Sequence, residues 1–212
     1  MTGLDAPPAI VDSAEVAPKA DPFTCLLAAA LSALPRPRPE GTGLLAATDG
    51  SRLGRRRIFR QAAKPAGKLP PRLVPYRLSN GPASRLAIDF GYTGRVVTLP
   101  CGGWSLLRAL RLAASSLEAG VGPAAWDVVA GLGEALDGTT VRGAAVALRI
   151  VGGPGTRLLE ISTSSAAGIE RRSGEMGSAL EALRRVASGG PAVELQEDAP
   201  APSAIVLRTA RP

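Results

Sequence analysis

The chain has 212 residues, with 25 Lys and Arg against 18 Asp and Glu, and no histidine. That length bounds it to one domain with tails or two small ones, and a body of this size buries enough surface to fold without a metal or disulfide staple. The missing histidine excludes His-based general acid–base catalysis, Ser-His-Asp and Cys-His sites, and nearly every zinc site.

Residues 1–20 are rich in Ala, Pro and Asp and show no hydrophobic period, which predicts a disordered tail. They carry neither the basic n-region nor the apolar h-region of a signal peptide. Residues 21–41 read as a short helix and a Pro-rich linker. Asp21-Pro22 supplies an N-cap and a proline at the first helical position, and Phe23, Leu27, Ala30 and Leu34 follow at helical spacing. The run PRPRPEG then stops the helix.

Residues 42–210 read as a single α+β domain. Leu44 to Thr48 predicts a strand, and Arg52 to Arg60 and Leu73 to Leu78 predict edge strands. Leu86, Ile88 and Phe90 alternate with Arg85, Ala87 and Asp89, so 85–99 predicts a hairpin. Residues 103–118 predict a helix, with Trp104, Leu107, Leu110, Ala114 and Leu117 on one face and Gly120 ending it. Trp126, Val129, Leu132 and Leu136 give a second helical stripe, so the pair predicts a helix hairpin covering the sheet. Val141 to Val151 and Leu158 to Thr163 predict partner strands about the turn GGPG. Glu175 to Ser188 predicts a helix capped by Gly189-Gly190, and 192–196 with 204–209 predict a closing hairpin. The expected fold is α+β. A mainly antiparallel sheet is packed by a central helix hairpin and a C-terminal helix, behind a disordered N-terminal tail.

No run supports catalysis, a cofactor or a metal. GTGLLA (41–46) has the G-x-G-x-x-A shape, but a Pro-rich linker precedes it where a dinucleotide site needs a strand. AGKLPP has Gly-Lys with no following Ser or Thr, so a P-loop is absent. Glu118, Asp127, Glu134 and Asp137 fall on the predicted helices, where a solvated face accounts for them, and Asp89 faces outward. Tyr76 and Tyr92 read as core-edge or interface aromatics. Cys25 reads as a buried thiol, and Cys101 sits between Pro100 and Gly102. Two distant cysteines, no apolar run near 18 residues and no signal peptide predict a cytoplasmic protein without a membrane span.

One stretch stands out. LGRRRIFRQAAKPAGKLPPR (53–72) holds Arg55, Arg56, Arg57, Arg60, Lys64, Lys68 and Arg72 and no acidic residue. Four readings compete: a solvated edge strand, a dock for an acidic protein partner, a nucleic-acid contact and a membrane patch. Only Phe59 is available to stack a base, and Pro and Gly break any recognition helix. No apolar helix adjoins the run to hold it at a membrane. A guarded sheet margin or an acidic-partner dock therefore leads. Arg55, Arg56, Arg57, Arg60, Lys64 and Lys68 are the candidate partner-binding residues, with nucleic-acid association as the alternative.

The pieces LAIDFGYTGRVVTLP, WSLLRALRLA, PAAWDVVAGLGEALDG, VALRIVGG, RLLEIST and EMGSALEALRRVA follow one another in an order and hydrophobic pattern that resembles the N-terminal part of type III secretion cytoplasmic-ring proteins, relatives of the flagellar switch proteins. The resemblance covers 73–188 and includes no diagnostic motif. It implies a non-enzymatic assembly or adaptor protein that holds partner subunits near an export apparatus, with oligomerisation open.

Overall fold

A computed structural model describes residues 2–4, 6–16, 20–36, 39–48, 80–100, 102–137, 139–152, 159–162, 170–173, 176–188, 190–196 and 204–209. Among them ten strands pair into one sheet. The strands are β1 (Thr2–Leu4), β2 (Ala9–Glu15), β3 (Gly43–Thr48), β4 (Val96–Leu99), β5 (Ala125–Asp137), β6 (Thr140–Gly152), β7 (Leu159–Ser162), β8 (Glu170–Ser173), β9 (Val193–Gln196) and β10 (Ala204–Thr209). The helices are α1 (Pro22–Ser32), α2 (Gly81–Phe90), α3 (Ser105–Glu118) and α4 (Met176–Ala187), and a 3-10 turn (Gly102–Trp104) leads into α3.

The spatial order is β4-β3-β5-β6-β1-β7-β10-β9-β8, with β2 also on β6. β3 runs parallel to both β4 and β5, and β8 runs parallel to β9; the remaining pairs are antiparallel. The fold is thus α+β, as expected, but its sheet is mixed. Parallel neighbours need a crossover, and the segment that carries α3 supplies it between β4 and β5.

Two cores lie on opposite faces of the first strands. Leu45, Ala47, Trp126, Val128, Ala130, Val146, Leu148 and Ile150 join α3 and α4. Leu44, Ala46, Val129, Ala145 and Ala147 join α1 and α2. Val193, Leu195 and Leu207 belong to the first of these cores, so the late strands reach the same helices as the early ones. The α3 helix packs on β3, β5 and β6 and also on β7 and β10, so the sheet curls around it.

Several expectations are corrected. Ala125–Asp137 is a strand, so there is no central helix hairpin: β5 pairs with β6 from Ala125↔Val151 to Asp137↔Thr140. Its residues 125–131 are all buried, because each face meets a helical layer. The period of two survives only in which core each residue joins, and the run shows no polar alternation.

Residues 81–90 form a helix, and the hairpin expected over 85–99 is not there. Pro82 opens the helix, and Gly91 closes it in the left-handed region (φ 67), with Tyr92 N–H bonding the Ala87 carbonyl at 2.9 Å. Ile88, which completes the alternating pattern, is 75% exposed.

The tail expected to be disordered contributes β1 and β2, which lie end to end along β6. β1 separates β6 from β7, so the strand expected over 158–163, of which 159–162 are described, does not pair directly with β6. The expected helix from Asp21-Pro22 does form: Asp21 Oδ2 accepts from Thr24 N–H at 2.8 Å and from the Thr24 hydroxyl at 2.9 Å. The helix at 103–118, the C-terminal helix and the closing antiparallel pair β9–β10 also form.

Candidate functional site

In α/β sheets the crevice for a ligand opens beyond the carboxyl ends of parallel strands, where neighbouring strands send their connections to opposite faces. β3 and β4 meet that condition. The chain between them carries α2, which joins the core with α1. The chain after β4 carries α3, which joins the opposite core.

At that end, β3 finishes on Thr48, and β4 passes through the 3-10 turn into α3. Gly102 sits in the left-handed region (φ 62), which lets the chain turn sharply from strand to helix. Ser105 is fully buried; its hydroxyl lies 2.9 Å from the Thr48 carbonyl and 2.7 Å from that of Gly102, which fixes the helix start on the strand end. Trp104, at the N-cap, gives no side-chain hydrogen bond to the first turn, and that turn holds no acidic residue. The Thr48 hydroxyl is buried and has no hydrogen-bond partner among the described residues.

A second polar cluster lies on the α1/α2 side of the sheet. Asp127 on β5 and Arg149 on β6 are register partners. The guanidinium grips the carboxylate with both arms, Nε to Oδ1 at 2.8 Å and an Nη to Oδ2 at 3.2 Å. Tyr92 donates its hydroxyl to Oδ2 at 2.6 Å, and the other Arg149 Nη donates to the Pro35 carbonyl at 2.9 Å. The side chains of Arg149 and Asp127 are 3% and 0% exposed, so neither charge borrows solvation from water.

The structure corrects the sequence reading of these residues. Asp127 is not on a solvated helix face; it is buried in a strand and paired. Tyr92 is half-buried in the loop before β4 and belongs to that cluster. A single charge inside each of two apolar runs, AWDVVA and VALRIV, was the available signal, because a lone buried charge demands a partner. Asp89 is exposed and pairs with Arg85 at 2.7 Å. Cys25 is half-buried on α1. Arg55, Arg56, Arg57, Arg60, Lys64, Lys68 and Cys101 lie outside the described residues. Among the described residues no three His, Cys, Asp or Glu side chains converge as metal ligands do, and no helix is long and apolar enough to cross a membrane.

No protein-family model matches the sequence. No curated protein matches it either. Solved structures do match in fold, and they fall in the class of ketosynthases and their chain length factors. One is the ketosynthase ApeO in complex with its chain length factor ApeC from Xenorhabdus doucetiae. The match covers 98% of this chain and 99% of that one, with a TM-score of 0.57 and 16% identity. Another is the ishigamide ketosynthase/chain length factor, matched over 89% of this chain and 79% of that one with a TM-score of 0.60 and 13% identity.

These matches overturn the likeness to type III secretion cytoplasmic-ring proteins, and with it the roles of secretion adaptor, protein-transport component and nucleic-acid-associated protein. The physical reason is visible in β5. The order of elements behind that likeness counted the run with Trp126, Val129, Leu132 and Leu136 as a helix, and as the strand Ala125–Asp137 it completes a different topology.

Proposed function

We propose that this chain is the chain-length-factor side of a ketosynthase pair: a non-catalytic subunit that docks on a ketosynthase during polyketide-type chain assembly. The observation that carries the reading is the end-to-end fold match with a chain of a ketosynthase–chain length factor complex, which leaves 1% of that chain unspanned. Condensing acyl thioesters calls for an activated nucleophile and a group to move its proton. The sequence contains no histidine for that work. The hydroxyls at the described crevice are those of Thr48 and Ser105, and Ser105 is engaged in holding the helix start.

The docking surface in this reading is the outer edge of β4. β4 ends the strand order and pairs only with β3 among the described residues. An open edge of this kind accepts a strand from a partner. Ile88, Val96 and Leu112, three of the four exposed large hydrophobics among the described residues, lie on β4 and on the two helices that pack against it. Exposed apolar side chains beside a strand edge that no other described strand pairs suit burial against another subunit.

The test is affinity purification of the tagged chain from its native host, with identification of what co-purifies and an assay for condensation of acyl thioesters. A co-purifying ketosynthase is expected, with turnover in the pair and none in the isolated chain. Turnover by the isolated chain, or a purification that recovers no ketosynthase, overturns the reading.

A further inference from the structure

The edge strand β4 enters the sheet through a short loop, 91–95, and two of the points that hold that loop lie on β3 and β5 or beside them. Gly94 lies so close to the neighbouring backbone that a Cβ there would stand 2.6 Å from the Gly41 and Thr42 carbonyl oxygens. Next to it, the Arg95 carbonyl accepts from Leu44 N–H at 2.8 Å, which starts the β3–β4 ladder. The other point is Tyr92, whose hydroxyl reaches 2.6 Å to a carboxylate on β5, the strand on the far side of β3. That carboxylate, Asp127, is kept in place by two bonds from Arg149, which itself ties down the Pro35 carbonyl beyond α1. Arg36, the next residue, stacks over the Phe90 ring at 5.7 Å, at the end of α2. The buried ion pair therefore anchors both segments that flank the entry to β4.

We infer that Tyr92 is a positioning residue: its bond to the Asp127–Arg149 pair holds the loop 91–95 so that the outer edge of β4, which no other described strand pairs, is pre-ordered for a partner strand. Pre-ordering matters because an edge that frays must be ordered at the moment of pairing, which slows association and weakens the complex. The bond suits this role energetically. Asp127 keeps both donors from Arg149 when the Tyr92 hydroxyl is lost, so the pair and the sheet survive while the loop loses its tie to β5. The partner arm of this inference rests on the ketosynthase reading above; the order of β4 does not.

The experiment is Y92F in the full chain. In hydrogen–deuterium exchange on the isolated protein, Y92F is expected to raise exchange over 96–99 about tenfold, with β6 and α4 at wild-type rates. Wild-type protection over 96–99, or an equal rise across the whole sheet, overturns the inference. With the co-purified ketosynthase, Y92F is expected to bind about tenfold more weakly, mainly through slower association. Equal affinity of the two proteins overturns the link between loop and partner. A wild-type chain that binds no ketosynthase sinks the functional reading alone, because exchange in the isolated chain still decides the role of Tyr92.

Discussion

Thr48 and Asp127 sit on neighbouring strands and show how a buried polar group behaves with and without partners. The Thr48 hydroxyl is buried and finds no partner among the described residues. Valine has nearly the same shape and removes the orphan, so T48V is expected to stabilise the fold by about 1 kcal/mol, read as a raised thermal midpoint. A lowered midpoint would mean that the hydroxyl does find a partner in solution. Asp127 is the opposite case: its carboxylate accepts from the Tyr92 hydroxyl and from two nitrogens of Arg149. D127A would leave the Arg149 guanidinium buried without its counter-charge, and the expected cost is about 3–5 kcal/mol in denaturant unfolding. The double variant D127L/R149M removes both charges and is expected to recover most of that loss. If the double variant unfolds as easily as D127A, the ion pair is not the source of the penalty.

The strand β3 shows the same economy among elements. It is parallel on both sides and buried along its whole length. At its start, Gly43 faces the indole of Trp126: a Cβ there would meet ring carbons at 2.6 Å and the Pro123 ring at 2.7 Å. The indole cannot retreat freely, since its N–H is bonded to the Ser116 hydroxyl at 2.8 Å. G43A is therefore expected to cost about 1–3 kcal/mol from overpacking, with a shift in tryptophan fluorescence, measured by thermal unfolding and emission spectra. Unchanged stability would mean that the ring moves aside without loss.

Elements of this sheet were legible in the sequence in proportion to how one-sided their surroundings are. The helices α1, α3 and α4 each bury one face and announce it by spacing, and Asp21 marks the start of α1 by its capping chemistry. β5 is covered on both faces, so its apolar run carries no alternation, and Trp126, Val129, Leu132 and Leu136 imitate a helix. β1 and β2 depend on the long edge of β6, a non-local partner that no window of twenty residues contains. The site suffered with the elements: once the stripe from Trp126 to Leu136 reads as a helix, Asp127 has a solvated face to sit on and needs no partner. The strand–turn–helix passage at Gly102 shows only where β3 and β4 are known to be parallel.

On the scale of the whole molecule, the sheet ends differently from the way it continues. β4 is four residues long, joined to one neighbour among the described residues, and its first residue, Val96, is 39% exposed. Exposed edges in monomers are commonly blunted by charge, and lysine at the rim is an effective block. V96K places a charge where the proposed partner strand would lie, while the buried side of β4 keeps its contacts. Its thermal midpoint is expected to stay near that of the wild type, since an exposed substitution away from any cap or pair moves stability by less than about 0.5 kcal/mol. Its affinity for the co-purified ketosynthase is expected to fall by at least about tenfold, or 1.4 kcal/mol, by titration calorimetry. An equivalent charge at Val121, 63% exposed on the loop between α3 and β5, serves as the control and is expected to bind as the wild type does. If V96K binds as tightly as that control, the partner does not use the β4 edge, and the exposed residues on α2 and α3 would have to be explained by some other surface.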